Sequence, residues 1–345
     1  MNPLLTYTLM ALLTEPNQVG KREDLSNVIA IVDAHSTPFT SMAPKGPKLK
    51  NSDFSYQVDS YRDPRTTGVV DGVDVTSFNN KAANRQRLHA RVQKWRDSWQ
   101  VSDLSENLSD PAGLKSEMAG AIAHCLVEVK RDMEATFCSD NDSQDDDGTD
   151  SYHTRSLGSW INNSAQGHLP VPTAYRTPSA SIDSTAMASL TETIVNNVLE
   201  SVWTQTGQNM RYTFLVGTKL KRRITDLTVL QTGVVSETAA IRSFNQDGAS
   251  KKVVATVDVY EGDFGTLELH ASNWLAYGAD DAGTTSGTTR RGYVLDPNRY
   301  KIRMLRDAGS FRLEDKGGGP RGYVDAVGAL VYENPLGGGK FAATS

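Results

Sequence analysis

The sequence predicts a mixed α+β fold organised around one long helix. Between residues 110 and 139, apolar side chains recur every three or four positions, which places them on one face of a helix. Residues 54–59 and 85–95 alternate apolar and polar side chains, a pattern typical of strands. A second apolar stripe and several β-branched segments follow. One long helix, a middle part of helices and strands, and late strands together predict the α+β class.

Composition excludes several kinds of protein. The chain has 345 residues, of which 38% are hydrophobic and 22% are charged, so it can bury one elaborated domain or two domains. Its formal net charge of −5 argues against a large nucleic-acid-binding surface. No apolar run is long enough to span a membrane. The two cysteines, Cys125 and Cys138, lie too far apart on one helix to bridge, which predicts buried thiols.

The first elements form an N-terminal arm. The apolar run at 4–13 has no preceding positive charge, so it predicts a packed amphipathic arm rather than a secretion signal. A short helix is predicted over 21–33, and the chain becomes extended before Pro38.

Two strands then form a ribbon around a long loop rich in Gly and Pro. In the return strand, one face carries Arg85, Arg87, His89 and Arg91, while the other carries Leu88, Ala90 and Val92. A two-stranded ribbon is marginal in water. We therefore expect this ribbon to lie against another surface.

The long helix is predicted over 111–139, with Asp110 as its cap and Pro111 in its first turn. Its apolar positions share one face, which we expect to form core. They are Leu114, Met118, Ile122, Cys125, Val129, Met133 and Phe137.

The remaining elements are shorter. An amphipathic helix is predicted over 186–204 and ends near Gly207, and a basic helix is predicted over 219–227. Between them, residues 212–216 form a strand, and residues 253–270 form a hairpin around glycine-containing turns. The last strands are predicted within 292–306, 311–313 and 322–332.

No constellation of catalytic, cofactor-binding or metal-binding residues stands out, so the sequence predicts neither an enzyme nor a cofactor. The acidic run at 140–150 lacks the glutamate that a calcium loop requires, which favours a solvated loop. The letters of residues 317–322 match G-x-G-x-x-G, but a strand rather than a helix follows, so we expect a flexible loop. His124 lies among apolar residues and is expected to be structural.

Several stretches, in order, carry a resemblance to a known family. They are GKREDLSNVIAIVDAHSTPF (20–39), WQVSDLSENL (99–108), KRDMEATFCSDND (130–142), GTKLKRRI (217–224), VDVYEGDFGTLELHASNWL (257–275) and YVLDPNRYKIRMLRD (293–307). With them, the sequence resembles the major capsid proteins of tailed double-stranded-DNA bacteriophages, which have the HK97-like fold.

The resemblance implies a division of the chain. Residues 1–50 would be the N-terminal arm and 51–102 the extended β-ribbon loop. The peripheral domain would take 103–180 and 290–345, with the long helix as its spine, and the axial domain would take 181–289.

The ribbon would then lie over a neighbouring subunit. This implies that the neighbour partly buries its apolar residues, while its arginines meet acidic groups across the seam. The implied contact residues are Phe54, Tyr56, Val58, Arg85, Arg87, Leu88, Arg91 and Val92.

The resemblance implies a structural protein that assembles as hexamers and pentamers into an icosahedral head around double-stranded DNA. Its location would be the virion, after synthesis in the cytoplasm of a bacterial host. Since the sequence begins at the arm, scaffolding is expected from a separate protein; a portal is a further expected partner, and a decoration protein stays open. Two alternatives remain: an encapsulin-type compartment that holds an enzyme, and an enzyme with an unfamiliar site.

Overall fold

The computed structural model describes residues 36–107, 116–208, 210–229, 245–247, 252–254, 258–276 and 290–342. They form the α+β structure that the sequence predicts. The helices are α1 (Pro38–Met42), α2 (Asp103–Glu106), α3 (Glu117–Cys138), α4 (Leu157–Trp160), α5 (Glu192–Thr206) and α6 (Thr218–Val229). No helix in these ranges is long and apolar enough to span a bilayer.

Within the described ranges, thirteen strands form four sheets. In chain order they are β1 (Asp53–Val58), β2 (Gln86–Arg91), β3 (Gln93–Gln100), β4 (Ile182–Asp183), β5 (Arg211–Val216), β6 (Asn245–Asp247), β7 (Lys252–Val254), β8 (Val259–Gly262), β9 (Gly265–Ala271), β10 (Arg291–Leu295), β11 (Tyr300–Leu313), β12 (Arg321–Tyr332) and β13 (Gly339–Ala342). The sheets have the orders β1-β2, β4-β13-β10-β5-β9-β8, β11-β12-β3 and β6-β7.

The three-stranded sheet packs against the long helix α3. Trp95 and Trp99 of β3 point toward α3, and the Trp95 indole donates a hydrogen bond to Thr136 Oγ1 at 3.1 Å. The Trp95 ring also meets the edge of Phe137, with centroids 5.5 Å apart. Trp95, Trp99 and Phe137 all belong to the first hydrophobic core.

The long helix begins later than the sequence predicts. Ser116 rather than Asp110 caps it, and the Ser116 hydroxyl accepts a hydrogen bond from the Ala119 N–H. Glu106 of α2 supports this start, since its carboxylate accepts from the Ser116 hydroxyl at 2.7 Å and from the Met118 N–H at 3.0 Å. The helix has 22 residues and is therefore about 33 Å long.

The six-stranded sheet lies between two hydrophobic cores. Leu215 of β5 and Tyr293 of β10 face the first core. Their neighbours Phe214 and Val294 face the second core, which α5 and α6 cover. Because both faces of β5 and β10 are covered, these strands read as continuous apolar runs.

This sheet crosses the division that the resemblance implies. Strands β10 and β13 belong to the implied peripheral domain, yet β10 pairs directly with β5 of the implied axial domain. The domain boundaries stay a prediction, but the two parts of the chain share one sheet.

Residues 36–50 are tied to the first core. The buried carboxylate of Glu134 on α3 accepts hydrogen bonds from the N–H groups of Phe39 and Thr40, at 2.7 and 2.6 Å. Glu134 therefore caps α1 from a distant part of the sequence. Residues 44–49 then run beside the free edge of β11, where the Ile302 N–H donates to the Pro44 carbonyl at 2.9 Å.

The other elements largely follow the sequence pattern. Strand β5 and helix α6 are confirmed, and Gly207 ends α5 with a φ of 65°. The predicted hairpin over 253–270 is confirmed only from Val259 onward, because residues 252–254 pair with β6 instead of β9. Helix α5 begins at Glu192 rather than at 186, since residues 187–189 form a separate 3₁₀ turn. The predicted helix over 21–33 lies outside the described residues.

Candidate assembly surfaces

The base of the ribbon packs on the three-stranded sheet of its own chain. The Tyr56 hydroxyl donates a hydrogen bond to the Tyr332 carbonyl, and burial raises the pKa of Tyr56 well above its ordinary value. Phe54 stacks on Tyr56 with centroids 5.8 Å apart, and the Arg303 guanidinium lies 4.0 Å from the centroid of Phe54. Phe54, Tyr56 and Val58 are half-buried, so part of each side chain stays open.

Two of the implied contact residues are not available to a neighbour. Leu88 is 1% exposed and Val92 is 4% exposed in the single chain. Both belong to the first hydrophobic core. The implication that a neighbour covers them therefore needs correction: the predicted return strand breaks at Val92, where the chain leaves the ribbon and enters β3 of the sheet.

The arginine face of the ribbon is partly neutralised within the chain. Arg85 pairs with Asp59 at 3.2 Å. Arg91 pairs with Asp145 at 3.1 Å, beside His168. Arg87 is exposed. Of these three cations, Arg87 therefore has the most room for a partner outside the chain.

Between the ribbon strands, residues 59–85 form a projecting loop that is exposed along its whole length. Six large apolar side chains of this loop stand in water. They are Tyr61, Val69, Val70, Val73, Val75 and Phe78, and their exposed fractions range from 60 to 101%. Clustered exposed apolar side chains mark surfaces that bind another molecule.

The apolar face of α3 has the arrangement that its spacing predicts. Cys125, Val129, Met133 and Phe137 are buried, and both cysteines are free thiols. Met118 and Ile122 are half-buried and pack against the same core. Leu114 lies outside the described residues. His124 is exposed rather than buried, so the structural role expected for it is wrong.

On the side away from α3, the three-stranded sheet presents a cationic surface. We call it the outer sheet face and define it by Lys94 and Arg96 of β3, Arg306 of β11, and Tyr323 and Asp325 of β12. Arg96 and Asp325 are direct partners in the β3–β12 ladder, so their side chains share this face.

Three cations converge there on one carboxylate oxygen. Asp325 is fully buried, and its Oδ2 lies 2.5 Å from Arg306, 3.3 Å from Arg96 and 3.7 Å from Lys94. The three cationic side chains are each 43 to 47% exposed. The cluster thus carries an excess of two positive charges at a surface.

A second buried carboxylate joins the two cores. Asp140, just after α3, accepts hydrogen bonds from Lys340 of β13 at 2.7 Å and Tyr293 of β10 at 3.2 Å, and pairs with Arg291 at 2.8 Å. Burial by itself would raise the pKa of Asp140, but the two cations outweigh it and lower that pKa. Asp140 therefore stays ionised and ties the six-stranded sheet to the end of α3.

A third acidic group lies between β3 and α3. The ligand atoms of Asp97, Cys125 and Glu128 lie within 4.8 Å of one another. The Glu128 carboxyl donates a hydrogen bond to Asp97, which raises the pKa of Glu128, and burial raises the pKa of the Cys125 thiol to about 12. A proton shared by the two carboxyls accounts for their close approach.

The exposed apolar residues of the projecting loop are not among the predicted contact residues. The Gly and Pro content of the sequence predicts a projecting loop, but that content does not point to its valines or to Phe78. Their signal was present: an apolar cluster between turn residues, without the alternation of a strand. The cations around Asp325 had no such signal, since β3 and β12 are far apart in sequence.

A family model described as "SU10 major capsid protein" matches residues 6–345. A search of curated proteins found no match. Among solved structures, the chain is similar to the asymmetric unit of the mature capsid of bacteriophage PhiM1, with 9% identity, a TM-score of 0.59 and coverage of 94% of this chain and 92% of the other.

Two further structures share the fold. The chain is similar to a structure from Gordonia phage Cozz, with 15% identity, a TM-score of 0.56 and 99% coverage of both chains. It is also similar to the capsid structure of cyanophage P-SCSP1u, with 10% identity, a TM-score of 0.54 and coverage of 94% and 93%. At such low sequence identity, structural similarity shows a shared fold only, and it confirms the expected HK97-like fold.

Proposed function

The chain belongs to the family of SU10 major capsid proteins, and from that premise we propose that its copies assemble as hexamers and pentamers into an icosahedral head around double-stranded DNA. It is a structural protein of the virion, and we propose that it has no catalytic role. It would be made in the cytoplasm of a bacterial host. The family match favours this role over an encapsulin-type compartment.

The projecting loop is the observation that best supports assembly through neighbours. A single chain leaves its six apolar side chains in water, although most of the other large apolar residues described are at least partly covered. Contact with a neighbouring copy would remove that surface from water. Burial of apolar surface contributes a favourable free energy of about 25 cal/mol per Å². In a closed shell such a contact repeats over every copy, so a modest contribution is multiplied.

Contacts with the rest of the chain hold the base of the loop in place. The Tyr175 hydroxyl donates to the Asn84 carbonyl at 2.6 Å, and Arg85 pairs with Asp59 across the two ends of the loop. The ribbon base is in turn packed on the sheet through Tyr56. This support orients the loop away from its own chain before a neighbour binds, which lowers the entropy cost of docking.

Other partners are proposed more coarsely. We propose a portal and a separate scaffolding protein as partners in assembly, since a head must be closed around an entry point and built to one size. The net charge of −5 supports enclosure of DNA without tight or sequence-specific binding.

The experiment is a loop substitution that leaves the core untouched. Val70→Asp with Phe78→Asp places two charges where we propose an apolar contact. We expect an unchanged melting temperature, because both side chains are at least three-quarters exposed, and loss of particles in electron micrographs. The matched control is Thr66→Asp with Ser77→Asp, which adds the same charge to exposed polar positions of the same loop.

Normal particles from the Val70→Asp, Phe78→Asp chain would overturn the role of the loop. Leu88→Asp is unsuitable for this purpose, because Leu88 is 1% exposed in the chain's own core. A charge there would unfold the subunit whether or not it assembles.

A further inference from the structure

The cations of the outer sheet face are held rigidly by aromatic rings. The Arg96 guanidinium lies 4.2 Å from the centroid of Tyr323, and that of Arg306 lies 5.4 Å from Phe311. Phe311 and Tyr323 themselves stack, with centroids 5.4 Å apart. Stacked guanidinium groups lose little freedom when they bind, and their planar donors match a carboxylate.

These cations retain donors that nothing in the described chain uses. Asp325 receives all three through one oxygen, Oδ2. The Nε of Arg306 is buried and has no hydrogen-bond partner within the described residues. A guanidinium has five N–H donors, and the side chains of Arg96 and Arg306 are 46 and 43% exposed, so their outer N–H groups are open to a partner. The excess of two positive charges therefore favours binding of carboxylates from outside the chain.

The same chain carries a matching acidic surface. Residues 146–150 include Asp146, Asp147 and Asp150, which are exposed, and no cation. The Asp147 carboxylate accepts hydrogen bonds from the N–H groups of Thr149 and Asp150, at 2.9 and 2.8 Å, and these bonds lower the pKa of Asp147. The segment is thus a turn whose backbone donors keep the Asp147 carboxylate ionised.

Within one chain this turn is tied elsewhere. The preceding Asp145 pairs with Arg91 of β2, and Gln144 bridges to His153 through two backbone hydrogen bonds of 3.2 Å. None of the ion pairs described for residues 145–150 reaches Lys94, Arg96 or Arg306. Each copy therefore presents an acidic turn that pairs with none of these three cations, and a cationic face with an excess of two positive charges.

We propose that the acidic turn at residues 146–150 of one copy docks on the outer sheet face of a second copy. The inference rests on the proposed assembly and deepens it by naming one contact. The occupant is a second copy because both charged surfaces belong to the same chain, and a head-to-tail contact of unlike surfaces repeats around a closed ring. A chain of net charge −5 makes DNA the weaker candidate for this isolated cationic face.

The test is a charge exchange between the two surfaces. The turn variant carries Asp146→Lys and Asp150→Lys, which keeps the turn-forming Asp147. The face variant carries Lys94→Glu and Arg96→Glu, which leaves Arg306 to neutralise Asp325. A combined variant carries all four changes. Assembly of the full chain, with its scaffold where the natural chain requires one, is followed by sedimentation.

We expect each separate variant to raise the subunit concentration needed for assembly by about tenfold, because every subunit both offers and receives the contact. The combined variant should recover most of the loss, since opposite charges meet again. Lys130→Glu, at an exposed position of α3 away from this face, is the control and should assemble normally. Melting temperatures of unassembled subunits report on folding.

If the face variant unfolds, Lys94→Gln with Arg96→Gln replaces it, and its assembly should become less sensitive to salt than that of the natural chain. A combined variant that assembles no better than the two separate ones would overturn the contact. Normal assembly of the face variant, together with loss of DNA binding by its subunits, would also overturn the contact, because the face would then be a DNA-binding surface. A natural chain that never assembles, even with scaffold, would instead overturn the proposed function.

Discussion

At the scale of single residues, buried carboxylates on or near α3 connect parts of the chain that are distant in sequence. Glu134 binds the start of α1, and Asp140 binds Lys340 and Arg291 of the six-stranded sheet. A buried carboxylate is tolerated where donors surround it, and its removal leaves those donors unpaired. Such residues therefore act as connections more than as isolated contributors to stability.

Glu134→Ala tests this connection. The N–H groups of Phe39 and Thr40 would lose their acceptor inside the protein, so we expect the free energy of unfolding to fall by about 2 to 4 kcal/mol. Urea denaturation of the unassembled subunit measures the change. Glu134→Gln keeps one acceptor oxygen and should lose less, whereas a loss for Glu134→Ala no greater than for the exposed Lys130→Ala would contradict the role.

At the scale of elements, the contact between β3 and α3 contains a titratable pair. The hydrogen bond with Asp97, burial and the repulsion between the two charges raise the pKa of Glu128 in the folded state. A carboxyl with a raised folded pKa binds a proton more tightly in the folded chain than in the unfolded one. The stability that this proton contributes is present at low pH. It is lost as the pH rises from 4.5, the ordinary pKa of a glutamate, through the higher pKa that Glu128 has in the folded chain.

Glu128→Gln should remove this loss. The amide can still hydrogen bond to Asp97 but has no proton to release, so the variant should gain melting temperature relative to the natural chain, and gain more at pH 8 than at pH 5. Lys130→Gln also removes one charge from α3 and serves as the control. An identical difference at both pH values would show that the pair does not titrate in this way.

The elements also show what the sequence could predict. The period of α3 and the alternation in β2 placed Val129, Phe137 and Leu88 correctly on apolar faces, because burial follows periodicity. Periodicity does not reveal which molecule covers a face. The resemblance therefore implies a neighbour over Leu88 and Val92, although the chain itself buries both. The sequence does not predict the cap at Ser116, because Asp110 and Pro111 form an equally good start signal upstream.

At the scale of the whole molecule, β5 and β10 contribute to both hydrophobic cores, so the cores should unfold together. Phe341→Ala tests this, since Phe341 is 2% exposed and lies 5.4 Å from Phe214 in the second core. We expect a loss of about 3 to 5 kcal/mol in the free energy of unfolding. Amide hydrogen exchange should become faster in both α3, at Val129, and α5, at Leu199. Faster exchange in α5 alone would show that the cores unfold independently.

The shared sheet has a consequence for synthesis on the ribosome. Strand β13 lies between β4 and β10, yet it is made long after β4. While the chain is being translated, β4 and β5 must therefore wait with unpaired edges until the strands that complete their sheet emerge. Pairing between such distant segments is slow, and waiting edges are prone to aggregate. Nascent subunits should accordingly depend on chaperones until β13 emerges, and a subunit could join a shell only after that point.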